Sequence, residues 1–247
     1  MDRVVFVVGN AGKQLLRAQA VNSHNLANAN TTGFQAEMAK FSTRTITGSG
    51  FESRAFAVAE SNSASFAKGE IQTTGRTLDV AVNGDGWLAV QAPDGSEAYT
   101  RAGNLHVNIN GQLLTHSDHP VLGDSGPIVV PQNQKLEIGS DGTISVRALG
   151  QQPNTLADVG RIKLVSPSPE DLKKGPDGLL RMRDDKGAPD ASTDVKLISG
   201  ALEGSNVNSV AAMVDMISLA RLFDVSVKIM STAKEMDERT TQIMNMS

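Results

Sequence analysis

The stretch from Ser205 to Ser247 constrains this chain most, because it contains neither Gly nor Pro and its apolar residues return at helical spacing. Met213, Met216, Ala220, Phe223, Val227 and Met230 step alternately by three and four, which is a heptad seam. Lys234, Asp237 and Thr241 continue the register in polar form, and Met244 closes it. Asn208 or Ser209 can start the helix, since a short polar side chain accepts from the free amides of the first turn. A helix from about Val210 to Met244 is roughly 50 Å long at ~1.5 Å per residue. That is about three times the mean helix of a globular domain. A helix of this length at a chain terminus predicts a partner, within the chain or outside it.

Residues 4–30 predict a second helix, with Val8, Ala11, Leu15, Ala18 and Leu26 on one face and Asn22 and Asn25 continuing it in polar form. Gly33 is the expected stop, because Gly takes the left-handed conformation past a helix end without a Cβ clash. Asn22, Asn25, Asn28 and Asn30 are a poor choice on propensity alone, since Asn side chains compete for backbone hydrogen bonds. They read either as a frayed end running into a loop or as amides that bond across to neighbouring helices. The second reading is preferred.

Residues 34–75 lack regular periodicity and are rich in Ser, Thr, Ala and Gly, the composition of a linker. Phe34, Phe41, Phe51, Phe56 and Phe66 contradict a purely solvated linker, because they are five of the seven Phe in the chain. Fully burying one such side chain contributes ~1.5–3 kcal/mol. The segment therefore reads as an extended interaction arm that orders against neighbouring subunits.

Residues 76–200 change character. Short apolar runs alternate with Asn83-Gly84, Asp85-Gly86, Asp94-Gly95, Asn110-Gly111, Asp141-Gly142 and Asp177-Gly178, turn dipeptides that tolerate positive φ. Strands are expected at 78–82, 87–91, 97–101, 105–109, 112–115, 128–130, 135–138, 143–146, 161–165, 179–182 and 195–198. Such spacing predicts an all-β, mostly antiparallel sandwich or barrel-like domain with Trp87 and Tyr99 in or near its core. Pro167, Pro169, Pro176 and Pro189 mark 166–190 as loops flanking one strand pair.

Chemistry is sparse. The net charge is −4, and no basic patch argues for nucleic acid. There is no Cys, so disulfides and Cys-ligated metals are excluded. No apolar run approaches the ~20 residues of a membrane span, so no membrane insertion is expected. The run Val4–Val8 falls short of the ~7–15 residues of a signal-peptide core, and no cleaved signal is expected. Val4–Val8 followed by Gly9-Asn10-Ala11-Gly12-Lys13-Gln14 imitates a strand and phosphate loop. The nucleotide-binding pattern needs Gly where Val7 stands and Ser or Thr where Gln14 stands. A P-loop-like enzyme is therefore a remote alternative to a helix whose two Gly admit another backbone closely. His116 and His119, with His106, invite a metal site but sit where a turn is expected. No catalytic constellation is evident, so no catalytic, cofactor or metal residues are assigned and no cofactor is expected. Six of nine Met lie between Met213 and Met246, which suits either a helical core stripe or a surface meeting more than one neighbour.

One likeness runs from end to end. Ser23-His24-Asn25-Leu26-Ala27-Asn28-Ala29-Asn30-Thr31-Thr32-Gly33-Phe34 resembles the N-terminal motif of the bacterial flagellar axial proteins of the rod and hook. Leu202-Glu203-Gly204-Ser205-Asn206-Val207-Asn208, with Met213 and Met216, resembles their C-terminal motif. Between them, 75–82, 99–104, 121–123 and 126–128 are similar to the family's β domain. Asp85-Gly86-Trp87 and Arg221-Leu222-Phe223-Asp224 bring the chain nearest the proximal-rod members, with the distal-rod member as the alternative.

The resemblance implies a non-enzymatic subunit of the flagellar basal-body rod, crossing the periplasm and transmitting torque. It implies export through the flagellar type III apparatus without a cleaved signal. It also implies partners among other copies of itself and other proximal and distal rod proteins, with no nucleic acid. The expected fold is α+β and modular. Residues 1–33 and 201–247 form an assembly domain, 34–75 the arm and 76–200 the β domain. The expected assembly interface comprises Leu15, Asn22, Asn25, Leu26 and Asn28 at the N-terminus and Phe34, Phe41, Phe51, Phe56 and Phe66 in the arm. At the C-terminus it comprises Asn206, Val207, Met213, Met216, Ile217, Ala220, Phe223, Val227 and Met230.

Overall fold

The structure, a computed structural model, describes residues 2–45, 55–131, 133–148, 157–183 and 186–245. The chain forms two compact units. The first comprises Met1–Ala29, Glu37–Ser63 and Val207–Ser247; the second comprises Asn30–Ala36 and Ala64–Asn206.

In the first unit, helices α1 (Asp2–Ala27) and α2 (Ser209–Asn245) pack on each other, as the α+β expectation requires. Asn208 caps α2, its Oδ1 accepting from the Ala211 amide at 3.0 Å. The same unit holds a ladder between strands Glu37–Thr45 and Ala55–Ala64 within the Phe-rich segment. Val4–Val8 and Gly9–Lys13 are continuous helix, so the strand and loop that a phosphate site needs do not form.

The second unit is antiparallel β. Its largest sheet has five strands in the order Leu164–Val165, Trp87–Gln91, Glu97–Thr100, Leu180–Met182, Leu172–Lys174. A three-stranded sheet joins Asn133–Ile138, Thr143–Ala148 and Ala157–Arg161. Val80–Asn83 pairs with Lys196–Ser199, and Ile71–Thr73 with Ala201–Glu203. Thus the expected sandwich or barrel resolves into small sheets, none of which closes among the described residues.

One core gathers Val80, Leu88, Leu105, Leu113, Val121, Ile144, Ile162 and Leu164. A second gathers Trp87, Ala89, Tyr99, Val165, Leu172 and Leu180, which places both large aromatics inside. The strand expected at 105–109 stops at Val107, because the Asn108 side chain accepts from the Asn110 and Gln112 amides and turns the chain. Ile109 is left fully exposed on that turn. The strand expected at 128–130 is replaced by bridges, with Val129 opposite Gln112 and Ile128 buried.

Two segments of the second unit, 30–36 and 201–206, are cross-pinned. The Gly33 amide donates to the Glu203 carbonyl at 2.8 Å, and the Ala36 amide to Asn206 Oδ1 at 2.7 Å. Asn206 Nδ2 donates to Gln35 Oε1, Ser65 O and Ala67 O. Glu203 accepts from Arg101 and from the Gly69 amide. Lys174, 9% exposed, donates to the Gln35 carbonyl at 2.8 Å and lies 4.1 Å from the Phe34 ring centroid. A cation there is held by a carbonyl dipole and an aromatic face.

Candidate assembly interface

The two helices run antiparallel: Asn22 meets Ala212, Gly12 meets Phe223, and Val5 lies in one groove with Met230 and Ala233. The line of α2 turned from solvent is Ala212, Met216, Leu219, Phe223, Ser226, Met230 and Ala233, with Ala212, Ser226 and Ala233 buried and the other four half-buried. Its steps of four and three make a heptad seam. It shares Met216, Phe223 and Met230 with the sequence expectation. In the alternate positions, Ala212, Leu219, Ser226 and Ala233 stand in place of Met213, Ala220 and Val227. Ala212, Ser226 and Ala233 are small and at most 9% exposed, and they alternate along the line with the longer, half-buried Met216, Leu219, Phe223 and Met230. The Ser226 hydroxyl is satisfied along its own helix by the Leu222 carbonyl at 2.9 Å.

On α1, Gly12, Gln14 and Ala18 are buried, Val8, Leu15 and Leu26 are half-buried, and Ala11 faces solvent. Gly12 takes the place expected for Ala11 and is buried, with Phe223 Cε2 at an ordinary contact distance of 3.8 Å from where a Cβ would stand.

Three of the four Asn side chains bond to backbone, but only Asn22 reaches the other helix. Asn22 Nδ2 donates to the Ala212 carbonyl at 2.6 Å, joining the helices. Asn25 engages Glu37 in both directions, donating to its carbonyl and accepting from its amide, each at 2.8 Å. Its side-chain amide acts as a strand partner where the chain re-enters the unit. Asn28 donates to the His24 carbonyl at 2.9 Å and terminates α1.

Of the expected Phe anchors, Phe34 lies under Lys174, and Phe66 stacks edge-on against Trp87 at 5.8 Å and 84°. Both contacts are internal to the second unit. Phe41 and Phe56 occupy the paired strands of the first unit, and Phe51 lies outside the described residues. Asn206 is a hub of the second unit, and Val207 is half-buried.

Met213, Ile217 and Val227 are 53%, 55% and 44% exposed, and Ala220 is half-buried. They share the open side of α2 with Val210, Val214, Leu222, Val225, Ile229 and Met236, six exposed apolar residues that the seam pattern did not single out. On α1, Phe6 is 70% exposed and Leu16 50%. Apolar residues around most of the α2 circumference were the available signal, since such a helix is buried on more than one side. Burial, with Glu97 beside it, pushes the Tyr99 phenol well above the usual range. No group of three or more His, Asp or Glu gathers for a metal among the described residues.

Three stretches of the chain match models of known families. Residues 7–35 match the model of the flagella basal body rod protein family. Residues 81–146 match the flagellar hook protein FlgE/F/G D1 domain, and residues 198–243 the flagellar basal body rod FlgEFG protein C-terminal region. The flagellar basal-body rod protein FlgF of Salmonella typhimurium is 41% identical over 252 residues, covering all of both chains. That of Escherichia coli K12 is equally similar over the same span. The rod protein FlgG of Buchnera aphidicola (Schizaphis graminum) is 31% identical, over 92% of this chain and 96% of that one. Paired terminal helices bracketing a β body, matched in order along the sequence, define an axial protein of the flagellum.

The chain belongs to the flagellar basal-body rod and hook family, and it is a structural subunit of the rod. Its full-length likeness to FlgF fits the proximal rod.

Proposed function

We propose that this subunit polymerises through α1 and α2 with other copies of itself and with other proximal and distal rod proteins, forming the torque-transmitting shaft. The observation that carries this reading is the second apolar side of α2. Nine large hydrophobic residues on one helix are 44–70% exposed, although α2 already packs on α1. Exposed apolar surface of that extent marks an interaction face. Each such side chain contributes ~1.5–3 kcal/mol when fully covered. A contact surface that does not match itself about a two-fold axis propagates as an open helix rather than a closed dimer.

In this reading residues 1–33 and 201–247 form the assembly domain, 34–75 the arm carrying Phe41, Phe51 and Phe56, and 76–200 the β domain. Leu15, Asn22, Asn25, Leu26 and Asn28 hold the helix pair in shape, while Met213, Ile217 and Val227 meet neighbours. In this reading the subunit sits in the part of the rod that crosses the periplasm, and it gets there through the flagellar type III apparatus without a cleaved signal. The subunit performs no catalysis.

The test is Ile217→Asp combined with Val225→Asp. Both side chains are more than half exposed, so the isolated chain should keep its stability within about 0.5 kcal/mol. Rod assembly and swimming should be lost. Normal swimming in a strain expressing only this variant would overturn the proposal.

A further inference from the structure

Heptad register sorts the open side of α2 into two separate apolar lines. Val210, Met213, Ile217, Ala220, Asp224 and Val227 step by three and four along one flank of the line that packs on α1. Leu222, Val225, Ile229, Thr232 and Met236 step likewise along the other flank. At 3.5 residues per turn the two lie roughly 100° to either side of the α1 contact. Their apolar members other than Ala220 are 44–70% exposed. The lines are also staggered along the axis, since the first runs from Val210 and the second from Leu222. Each has one polar position. The Thr232 hydroxyl already donates to the Lys228 carbonyl at 3.0 Å, so covering it strands no donor. The Asp224 carboxylate needs a cation from the covering surface.

A heptad line is completed by a facing helix of the same period, because each knob enters a hole among four residues of its partner. The open side of α1 does not qualify: from Ala11 to Ala27 its one large exposed apolar residue is Leu16. Among the described residues α2 is the helix that carries such lines, and it carries two. We infer that the Val210–Val227 line of one copy packs in parallel on the Leu222–Met236 line of α2 in a second copy. This deepens the assembly reading above and rests on it. Chemistry selects the register. A shift of twelve residues, Val210 onto Leu222, also sets Met213 against Val225, Ile217 against Ile229 and Ala220 against Thr232. Asp224 then lies one turn from Arg239, which supplies its cation. The neighbouring heptad register, a shift of five, sets Val210 against Asp215 and Asp224 against Ile229, carboxylates against hydrocarbon. A shift of nineteen sets Ala220 against Arg239. Twelve residues are roughly 18 Å along the helix. Since the two lines differ, each copy uses one toward each neighbour, and the contact propagates as an open helix.

The chain has no Cys, so introduced thiols report the register directly. Full-length Ile217→Cys and Ile229→Cys chains are co-expressed in cells lacking the native subunit, and their rods are mildly oxidised. The expected product is a mixed disulfide dimer of twice the 26.0 kDa chain mass, absent when either variant is expressed alone. Met213→Cys with Val225→Cys tests the adjoining layer independently and should give the same dimer. Ile217→Cys with Leu222→Cys should give about tenfold less, because Leu222 lies two turns from Ile229, about 10 Å and beyond the span of a disulfide. Dimers from a single variant alone, a product of another mass, or the Leu222 pair reacting as well as the Ile229 pair would each overturn the assignment, as would no dimer from either layer. Ile217→Asp with Val225→Asp, which strikes one residue of each line, separates the two ideas. If that variant blocks assembly while both layers fail to crosslink, the pairing of the lines alone falls. If it is harmless, the assembly reading falls with it.

Discussion

Arg101 holds Glu203 through one guanidinium nitrogen placed 3.0 and 3.1 Å from its two carboxylate oxygens, with both side chains at most 3% exposed. The second nitrogen donates to the Gly84 carbonyl at 3.1 Å, and the guanidinium lies 4.6 Å from the Trp87 ring centroid. Glu203 also accepts from the Gly69 amide at 2.9 Å. Four segments distant in sequence therefore meet at one buried ion pair.

Removing one partner should leave the other charged, buried and alone. Arg101→Met is expected to cost about 3–5 kcal/mol, and a paired Arg101→Met/Glu203→Leu chain to recover part of that loss. Trp87 is the only tryptophan and lies beneath the guanidinium, so its fluorescence in a urea titration reads the site directly. A double variant less stable than the single one would contradict the account.

Two glycines should respond oppositely to a methyl group. Gly33 has φ +66°, and a Cβ there would lie 2.3 Å from the Ala102 nitrogen and the Arg101 carbonyl carbon. Gly33→Ala should destabilise by about 3 kcal/mol or more. Gly9 lies inside α1 with nothing within 4 Å of such a Cβ, so Gly9→Ala should stabilise by about 0.5–1 kcal/mol. Thermal melts of the two full-length variants should shift in opposite directions.

Acid should loosen the β turns. Hydrogen bonds from the Ser96 hydroxyl and amide hold the Asp94 carboxyl below its ordinary 3.8, and the Thr143 hydroxyl and amide do the same for Asp141. The Arg181 guanidinium lowers Asp177, with bonds of 2.9 and 2.7 Å. A carboxyl lowered on folding stabilises the folded chain above its unfolded value, and that contribution is lost as pH falls through the folded value. Melting temperature should therefore decline as pH drops below about 4, and Asp141→Asn with Asp177→Asn should flatten that decline. An unchanged acid limb in this variant would contradict the assignment.

Both helices, the β body and most central strands could be read from sequence, because periodicity and Asn-Gly or Asp-Gly turns are local signals. Trp87–Gln91 is recovered end to end, and α2 begins one residue before the expected Val210. The choice between two adjacent heptad lines was not local. Met213 and Val227 outrank Ala212 and Ser226 in hydrophobicity, yet the smaller residues are the buried ones. Strands Ile71–Thr73 and Ala201–Glu203 were equally hidden, since each exists only as the other's partner across the chain. Asn25 and Asn206 announced themselves as amides in unusual places, but their backbone partners became visible only in three dimensions.

The cross-pinning of 30–36 to 201–206 has a mechanical consequence. Tension applied at the two ends of the second unit falls first on the Gly33–Glu203, Ala36–Asn206 and Arg101–Glu203 contacts. These bonds stand side by side, so they share the load and must fail together. The strands behind them are shielded from being peeled off one hydrogen bond at a time.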